Sequence, residues 1–225
     1  MDLIDYYNYR VVLQYLPEIL KGLWATLWIS FFCLFMSLVI GAFAVTARNS
    51  NNKILSFSVR AYIDVIRSTP LLVQVYIAYY GLTQLPILNI NVSPIVCGIV
   101  ALSLHTGAYM SEIIRAGIEA IDRGQWEAAK AVGMNKRQTM INVIYPQAFS
   151  KILPAMLGQA AVLMKDSSIL SFIAVPELLG AGMLILSERV MPTEAFMTPA
   201  IGYLLIYLMM LFLSTWVQRK LGGQN

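Results

Sequence analysis

Side chains that catalyse reactions or bind metals are scarce in this sequence of 225 residues. It has one histidine, His105, and two cysteines, Cys33 and Cys97, each inside an apolar run. One histidine does not make a His-based metal site, and the cysteines lack the spacing of zinc ligands or of a disulfide framework. The G-x-S-x-G and H-E-x-x-H patterns are also missing. We therefore expect no enzymatic chemistry in this chain, and we expect both thiols to be packed in the interior.

Charged residues are few, and a phosphate-binding loop is lacking. Asp, Glu, Lys and Arg make up 12% of the chain, whereas 58% of its residues are hydrophobic, a composition typical of membrane proteins. The net charge of +4 does not indicate a nucleic-acid partner, because the basic residues stand at the ends of apolar runs. Without a G-x-x-x-x-G-K-[ST] loop, any ATP hydrolysis must occur on another polypeptide. The sequence predicts an all-α integral membrane protein.

Long uncharged runs predict about five transmembrane helices. Residues 22–47 and 195–218 each supply about 25 uncharged residues, enough at 1.5 Å per residue to cross a hydrocarbon core of about 30 Å. Residues 68–111 supply about 44, enough for two spans with turn residues between them. A further span is expected to begin near Ile152, and the segment 175–182 is expected to be a broken turn.

The distribution of basic residues predicts the orientation of these spans. Basic residues follow the first span at positions 48–60, and the largest basic cluster lies at positions 112–151. Basic loops stay on the cytoplasmic side. We therefore expect the N-terminus and the loop around Leu88 outside, and the C-terminus inside. No internal repeat or shift in composition divides the chain, so residues 1–225 are expected to form one domain.

A basic, helix-forming segment interrupts the apolar sequence at residues 124–146, GQWEAAKAVGMNKRQTMINVIYP. The Glu-Ala-Ala at 127–129 favours a helix, and Gly133 permits a sharp change of backbone direction. A second helical stretch is expected to end at Pro146. On the residues alone, the segment is either a cytoplasmic docking element or an ordinary amphipathic helix-turn-helix on a membrane surface.

The segment resembles a motif in the membrane subunits of binding-protein-dependent ABC importers. In that motif, Glu-Ala-Ala is followed by three residues, Gly, nine residues and Ile-x-Leu-Pro. Val143 and Tyr145 stand here where the family usually has Ile and Leu. In the family this element is the coupling helix, which sits in a groove of the ATPase subunit. The resemblance implies that coupling role for Glu127, Ala128, Ala129 and Gly133.

Three further segments are similar to segments of the polar amino-acid subfamily of these permeases, the histidine, glutamine and arginine type. Together with the motif, they cover roughly residues 60–180. In the segment at 67–74, Ser68 replaces the usual Gly. The resemblance implies a type I ABC importer permease fold with a cytoplasmic coupling helix, in the bacterial cytoplasmic (inner) membrane. The segments are RSTPLLVQ at 67–74, AYMSEIIR at 108–115 with GQ at 124–125, and KDSSIL at 165–170 with VPEL at 175–178.

The resemblance also implies an assembly. Cytoplasmic ATP-binding subunits would hold ATP and Mg²⁺, so this chain would carry no cofactor, and an extracytoplasmic solute-binding protein would deliver a polar amino acid. A second permease subunit, identical or homologous, would complete the pathway within the membrane lipid. The alternative function is an ion-channel or pore subunit, for which no filter motif or charged ring is present. An intramembrane enzyme is disfavoured by the single histidine.

Polar side chains inside the predicted spans are the candidates for the substrate route. Gln159 and Asp166 are seven residues apart and so share one helix face, about 10 Å apart along the axis. A carboxylate deep in a span is too costly to face lipid, so Asp166 would meet either a substrate α-ammonium or Lys165. Gln159, as a neutral group, favours a neutral polar amino acid. The candidate set is Gln159, Asp166, Ser167, His105 and Tyr109.

Other polar residues remain open to two interpretations. His105 either lines the route or is a hydrogen-bonded packing residue, and Tyr109 either contacts the route or is an interface anchor. Asp64 and Arg67 are three residues apart, so they share a helix face and can pair, in a functional role or as a membrane anchor. The same alternatives apply to the equally spaced pair within 112–115.

Overall fold

The computed structural model describes residues 7–81 and 92–221, and every regular element within these ranges is helical. The all-α class expected from the sequence is confirmed. Helix α4 ends in a π-helical turn and α7 in a 3-10 turn. The elements are α1 (Tyr9–Gln14), α2 (Leu16–Arg48), α3 (Lys53–Ser68), α4 (Leu71–Gly81), α5 (Pro94–Glu119), α6 (Arg123–Ala131), α7 (Lys136–Ile173), α8 (Leu178–Arg189) and α9 (Pro192–Leu221).

Within the described ranges, three helices are long and apolar enough to cross a membrane: α2, α5 and α9. A fourth crossing results if α7 and α8, which meet at 42°, form one bent span. Helix α4 is apolar but only about 16 Å long. The described helices thus provide three or four crossings of the expected number of about five. Residues 82–91, with Leu88 among them, and the termini Met1 and Asn225 lie outside the described part of the chain.

The basic stretch after α2 is largely a helix and not the polar loop that the sequence predicts. Only residues 49–52 form the turn, and Asn52 then caps α3 by accepting a hydrogen bond from the backbone N–H of Ile54 at 3.0 Å. Val59 and Ile63 are buried against the end of α2, whereas the basic residues of α3 are exposed. The apolar positions 55, 59, 62, 63 and 66 do recur at helical spacing, and the prediction missed this helix because it considered only the uncharged runs and the basic residues between them.

Small residues allow α2 and α5 to pack closely in the centre of the structure. A Cβ at Gly41 would lie 2.8 Å from Met110 Cβ, and one at Gly107 would lie 2.7 Å from Ile40 Cγ2. Helices in membranes associate where small side chains let their backbones approach. Both cysteines are buried in these two helices, which confirms the prediction that they are packed thiols.

A buried carboxylate organises the bend between α7 and α8. Glu177 is fully buried and caps α8, because its Oε1 accepts a hydrogen bond from the Gly180 N–H at 2.8 Å. Its Oε2 accepts hydrogen bonds from Thr26 Oγ1 in α2, at 3.4 Å, and from the Tyr203 hydroxyl in α9. A buried carboxylate without partners is costly. The network therefore ties α2, α8 and α9 together at the bend.

The broken turn expected at 175–182 is shorter in the structure. Ala174 has a left-handed φ of 59°, and the chain is helical again from Leu178. The prediction was wrong for the second half of this segment, because the glycines there serve close packing instead of a turn. A Cβ at Gly182 would lie 2.1 Å from the backbone oxygen of Ala195 in α9.

We expect Gly182→Ala to lower the melting temperature of the detergent-purified protein, because the backbone of α9 must shift to make room. Overpacking of this kind costs about 1–3 kcal/mol. Gly158→Ala is the matched control, since a Cβ there meets nothing within 4 Å. Equal melting temperatures for the two variants would show that α8 and α9 are not packed as described.

Candidate functional site

The segment singled out by the sequence forms two helices joined at Gly133, as predicted. Helix α6 is capped by Asp122, whose Oδ1 accepts a hydrogen bond from the Gly124 N–H at 2.7 Å. Gly133 has a φ of +78°, and its N–H donates to the oxygen of Lys130 at 2.9 Å. Glycine is the residue that adopts such a φ without steric cost. The bend after α6 therefore depends on this position.

The second helix does not end at Pro146, so that prediction was wrong. Asn135 and Gln138 form a reciprocal capping box at the start of α7, with hydrogen bonds of 2.9 and 3.0 Å. A π-helical turn at Met140–Ile144 directly precedes the proline. The proline follows at the second position of the next α-helical stretch, Tyr145–Asp166, where a missing N–H is tolerated. The second helix of the docking segment and the next span are therefore one continuous helix.

Helix α6 presents one face outward and packs the other against its own chain. Ala129 is buried, and Trp126 packs on a small apolar cluster formed by Ile121, Ile144 and Ala148. The four predicted coupling residues do not share one environment. Glu127, Ala128 and Gly133 are exposed, whereas Ala129 is buried against the chain. The exposed face continues to Val132, which is 73% exposed. The outward face of α6 is therefore exposed as far as the bend at Gly133.

One hydrogen bond fixes α6, and a second fixes the turn that precedes it, to the start of the following span. Gln147 Nε2 donates to Gln125 Oε1 at 3.0 Å, and Lys151 Nζ donates to the backbone oxygen of Ala120 at 2.8 Å. Helix α6 also follows directly after α5 through a short turn. Any displacement of α6 is therefore passed to both α5 and α7.

A cluster of ion pairs on Glu112 joins α2, α3 and α5. Arg48 Nη1 lies 2.5 Å from Glu112 Oε1, and Arg115 Nη2 lies 2.8 Å from Oε2, which confirms the pairing expected within 112–115. Arg67 Nη1 is 3.9 Å from the same Oε2. Within the described residues, Arg67 makes no ion pair with Asp64. The prediction considered only the spacing within one helix, whereas the fold brings the Glu112 carboxylate of α5 closer to Arg67 than Asp64 is.

His105 lies in a hydrogen-bonded group between α4 and α5. Its Nδ1 is 3.0 Å from Gln74 Oε1, and Gln74 Nε2 donates to the backbone oxygens of Ile66 and Thr69 at 2.7 and 3.0 Å. The His105 side chain is buried, and its ring centroid is 5.1 Å from that of Tyr109. These contacts favour the packing interpretation of His105. Gln74 was missed as a site residue because its partners lie in other segments of the chain.

The remaining substrate-site candidates lie on α7 and make fewer side-chain contacts with the described residues. Gln159 and Asp166 are both half-buried, and neither side chain makes a hydrogen bond or a close ion pair with any described residue. The Nζ of Lys165 lies 4.9 Å from the Tyr207 ring centroid, and among the described residues Lys165 and Asp166 form no ion pair within 4.0 Å. Ser167 is buried and donates to the oxygen of Met164 at 2.8 Å. The structure thus groups His105 with Tyr109, and it leaves Asp166 with unused acceptors.

Known proteins resemble this chain over most of its length. A family model described as "Binding-protein-dependent transport system inner membrane component" matches residues 37–223. The nopaline transport system permease protein NocM of Agrobacterium fabrum is 34% identical, covering 88% of this chain and 85% of that protein. The arginine transport system permease protein ArtQ of Bacillus subtilis is 33% identical, covering 97% and 99%. A solved structure, of an amino acid ABC transporter with histidines, has a TM-score of 0.89 at 34% identity and covers 95% and 98%.

Proposed function

Because the chain belongs to the family of inner-membrane components of binding-protein-dependent transport systems, we propose that it is the permease subunit of an ABC importer for a polar amino acid. The observation that supports this most strongly is the likeness of almost the whole chain to an amino acid ABC transporter. Membership of the family makes the chain a multi-pass membrane transport subunit and not an ion channel. The solved structure that covers 95% of this chain is also an ABC transporter, in agreement with the type I importer permease fold that the resemblance implied from the sequence.

The exposed face of α6 is proposed to dock on a cytoplasmic ATPase subunit, which would hold the ATP and Mg²⁺. Glu127, Ala128 and Gly133 would form the contact surface, and Ala129 would support it from inside. The open space around Gly133 and the exposure of Val132 support this proposal. A second permease subunit and an extracytoplasmic solute-binding protein complete the proposed assembly.

Substrate binding is proposed for the polar candidates on α5 and α7. Asp166 would accept the α-ammonium of the amino acid, since an unpaired carboxylate within a span is otherwise costly. Gln159 would contact the side chain of the substrate from the same helix face. His105 and Ser167, which are hydrogen-bonded within the chain, would act by holding their neighbours in place.

We expect Gly133→Val to impair ATPase stimulation and Gly133→Asn to preserve most of it. Both side chains fit the open space, but a β-branched residue at a φ of +78° is strained, whereas asparagine adopts this conformation readily. The left-handed conformation costs about 1–2 kcal/mol in an ordinary residue. ATP hydrolysis in response to loaded binding protein is the measurement. Equal stimulation in the two variants would refute the role of the bend.

We expect Asp166→Asn to reduce amino-acid uptake in proteoliposomes about tenfold or more, because the substrate ammonium loses its charged acceptor. Binding of the ATPase subunits should be unchanged. Asp64→Asn is the matched control, since Asp64 is an exposed carboxylate in α3. Normal uptake by the double variant Asp166→Asn, Gln159→Ala would show that this face of α7 does not line the substrate route.

We expect Asn51 and Lys136 to face the cytoplasm and Ser187 to face outward, following the asymmetry of basic residues. All three are exposed in the structure. Single cysteines at these positions, in a background without Cys33 and Cys97, can be tested with an impermeant thiol reagent on intact cells. Only position 187 should react before the cells are opened. Reaction at position 136 in intact cells would show that the predicted orientation is wrong.

A further inference from the structure

Lys165 and Asp166 are the only charged residues in the four stretches of sequence that form most of the helical bundle. The stretches are residues 22–47, 68–111, 152–173 and 195–218. Opposite charges that stand side by side in such apolar surroundings are expected to neutralise each other. They do not pair here, because within the described ranges no carboxylate oxygen lies within 4.0 Å of the Lys165 Nζ, and neither side chain makes a hydrogen bond.

The packing of α7 on α5 shows that both charges lie well inside the membrane-spanning region. A Cβ at Gly117 of α5 would meet Ile152, and a Cβ at Gly98 would meet Leu170, so the two helices run antiparallel over this length. Lys165 lies about 20 Å along α7 from Ile152 and about 8 Å from Leu170. Helix α5 is long enough to cross a membrane and extends beyond both of these contacts. Each end of α5 is therefore more than about 10 Å from the level of the lysine.

An exposed ammonium at this depth requires a partner. Lys165 is exposed, and its Nζ lies 4.9 Å from the centroid of the Tyr207 ring on α9, a cation–π contact that leaves its three donors unused. A charged side chain within a span faces protein, a water-filled cavity or a ligand, because facing lipid is too costly. Asp166 is half-buried beside it, with unused acceptors among the described residues. An anionic partner for one residue and a cationic partner for the other are therefore needed at the same place.

The helix is interrupted directly after these two residues. The α-helical part of α7 ends at Asp166, a 3-10 turn follows at Ser167–Ile173, and Ala174 has a left-handed φ of 59°. Irregular backbone at membrane depth occurs where it is buried in protein or lines a water-filled cavity. In many membrane transporters, interrupted span helices hold the substrate near the middle of the membrane. The interruption is independent of the charges, and it indicates a ligand at the same position.

We propose that Asp166 and Lys165 bind the two backbone charges of the transported amino acid, its α-ammonium and its α-carboxylate, and that the site therefore selects a neutral side chain. This inference rests on the proposed function. The ammonium nitrogen and the carboxylate carbon of an amino acid are about 2.5 Å apart, and hydrogen bonds of about 2.8 Å extend this reach on both sides. One zwitterion thus bridges two adjacent head groups that do not touch each other.

The selection of a neutral side chain follows from the balance of charges. Once the backbone of the substrate has used Lys165 and Asp166, a charged side chain needs a third charge of opposite sign at this depth. Glu177 does not provide it, because its carboxylate is fully buried and already accepts hydrogen bonds from groups of α2, α8 and α9. Gln159, on the same face of α7 as Asp166, offers a neutral donor and acceptor. The site therefore fits a neutral polar side chain, such as that of glutamine, better than a charged one.

The first test compares substrates. Each polar amino acid, radiolabelled, is offered to the complete reconstituted importer, and absence of uptake for all of them would count against the proposed function itself. The same amino acids are then bound at equilibrium to the purified permease–ATPase complex without binding protein. We expect a neutral polar amino acid to bind about tenfold or more tightly than L-glutamate, L-arginine and L-lysine. Equal or tighter binding of a charged amino acid overturns the selection by charge balance and leaves the proposed function standing.

The second test compares the preferred amino acid with its α-amide, which keeps the ammonium but lacks the carboxylate. The wild-type complex should bind the acid about tenfold or more tightly. Lys165→Met should lose this preference, and Lys165→Arg, which keeps the positive charge, should retain most of it. Lys53→Met is the matched control, because Lys53 is an exposed lysine at the start of α3, and it should bind as the wild type does.

Three outcomes of the second test would overturn the proposed role of Lys165. The first is equal affinity of the wild-type complex for the acid and the amide, a result that requires no variant to fold. The second is a full preference for the acid in an assembled Lys165→Met complex. The third is loss of permease pairing in Lys165→Met with the preference intact, which would identify Lys165 as an interface residue that meets an acidic group of the second permease subunit.

Discussion

Glu112 connects three helices through charge, at the end of the bundle from which α5 leads to α6. Its two oxygens take hydrogen bonds from Arg48 at the end of α2 and from Arg115 on its own helix. Arg67, at the end of α3, lies beside it. Charged groups are rare in this chain, and pairing them removes most of the cost of keeping them within a bundle of apolar helices. Arg67 belongs to the same ion-pair cluster at 3.9 Å, so one carboxylate holds the ends of α2 and α3 against α5.

The same helix that carries Glu112 leads directly to the docking surface. Helix α5 ends at Glu119, and α6 begins at Arg123 after a turn to which Lys151 of α7 donates a hydrogen bond. A movement of α6, such as docking on an ATPase would impose, acts on α5 and α7 together. These are the helices that carry His105, Tyr109 and Asp166. In the proposed importer, coupling between the ATPase and the substrate route would run through these two helices.

What the sequence predicted well was local, and what it missed was mostly brought together by the fold. The bend at Gly133 and the uncharged run of α2 depend on neighbouring residues, so composition and spacing were enough to identify them. Gln74 and Glu177 acquire their roles from partners about 30 and 150 residues away, which no periodicity indicates. Pro146 misled for another reason. A proline usually ends a helix, but a π-helical turn places Pro146 at the second position of the next α-helical stretch, where it is tolerated. No pattern in the sequence predicts that turn.

The apolar core also fixes where the polar candidates of α7 lie relative to those of α5. Asp166 directly precedes the 3-10 turn of α7, and that turn packs into the same apolar core as α4, through Leu170 and Val75. Gln74, beside Val75 on α4, holds His105 of α5 through a hydrogen bond of 3.0 Å. One core therefore fixes both Asp166 and the hydrogen-bonded group of His105.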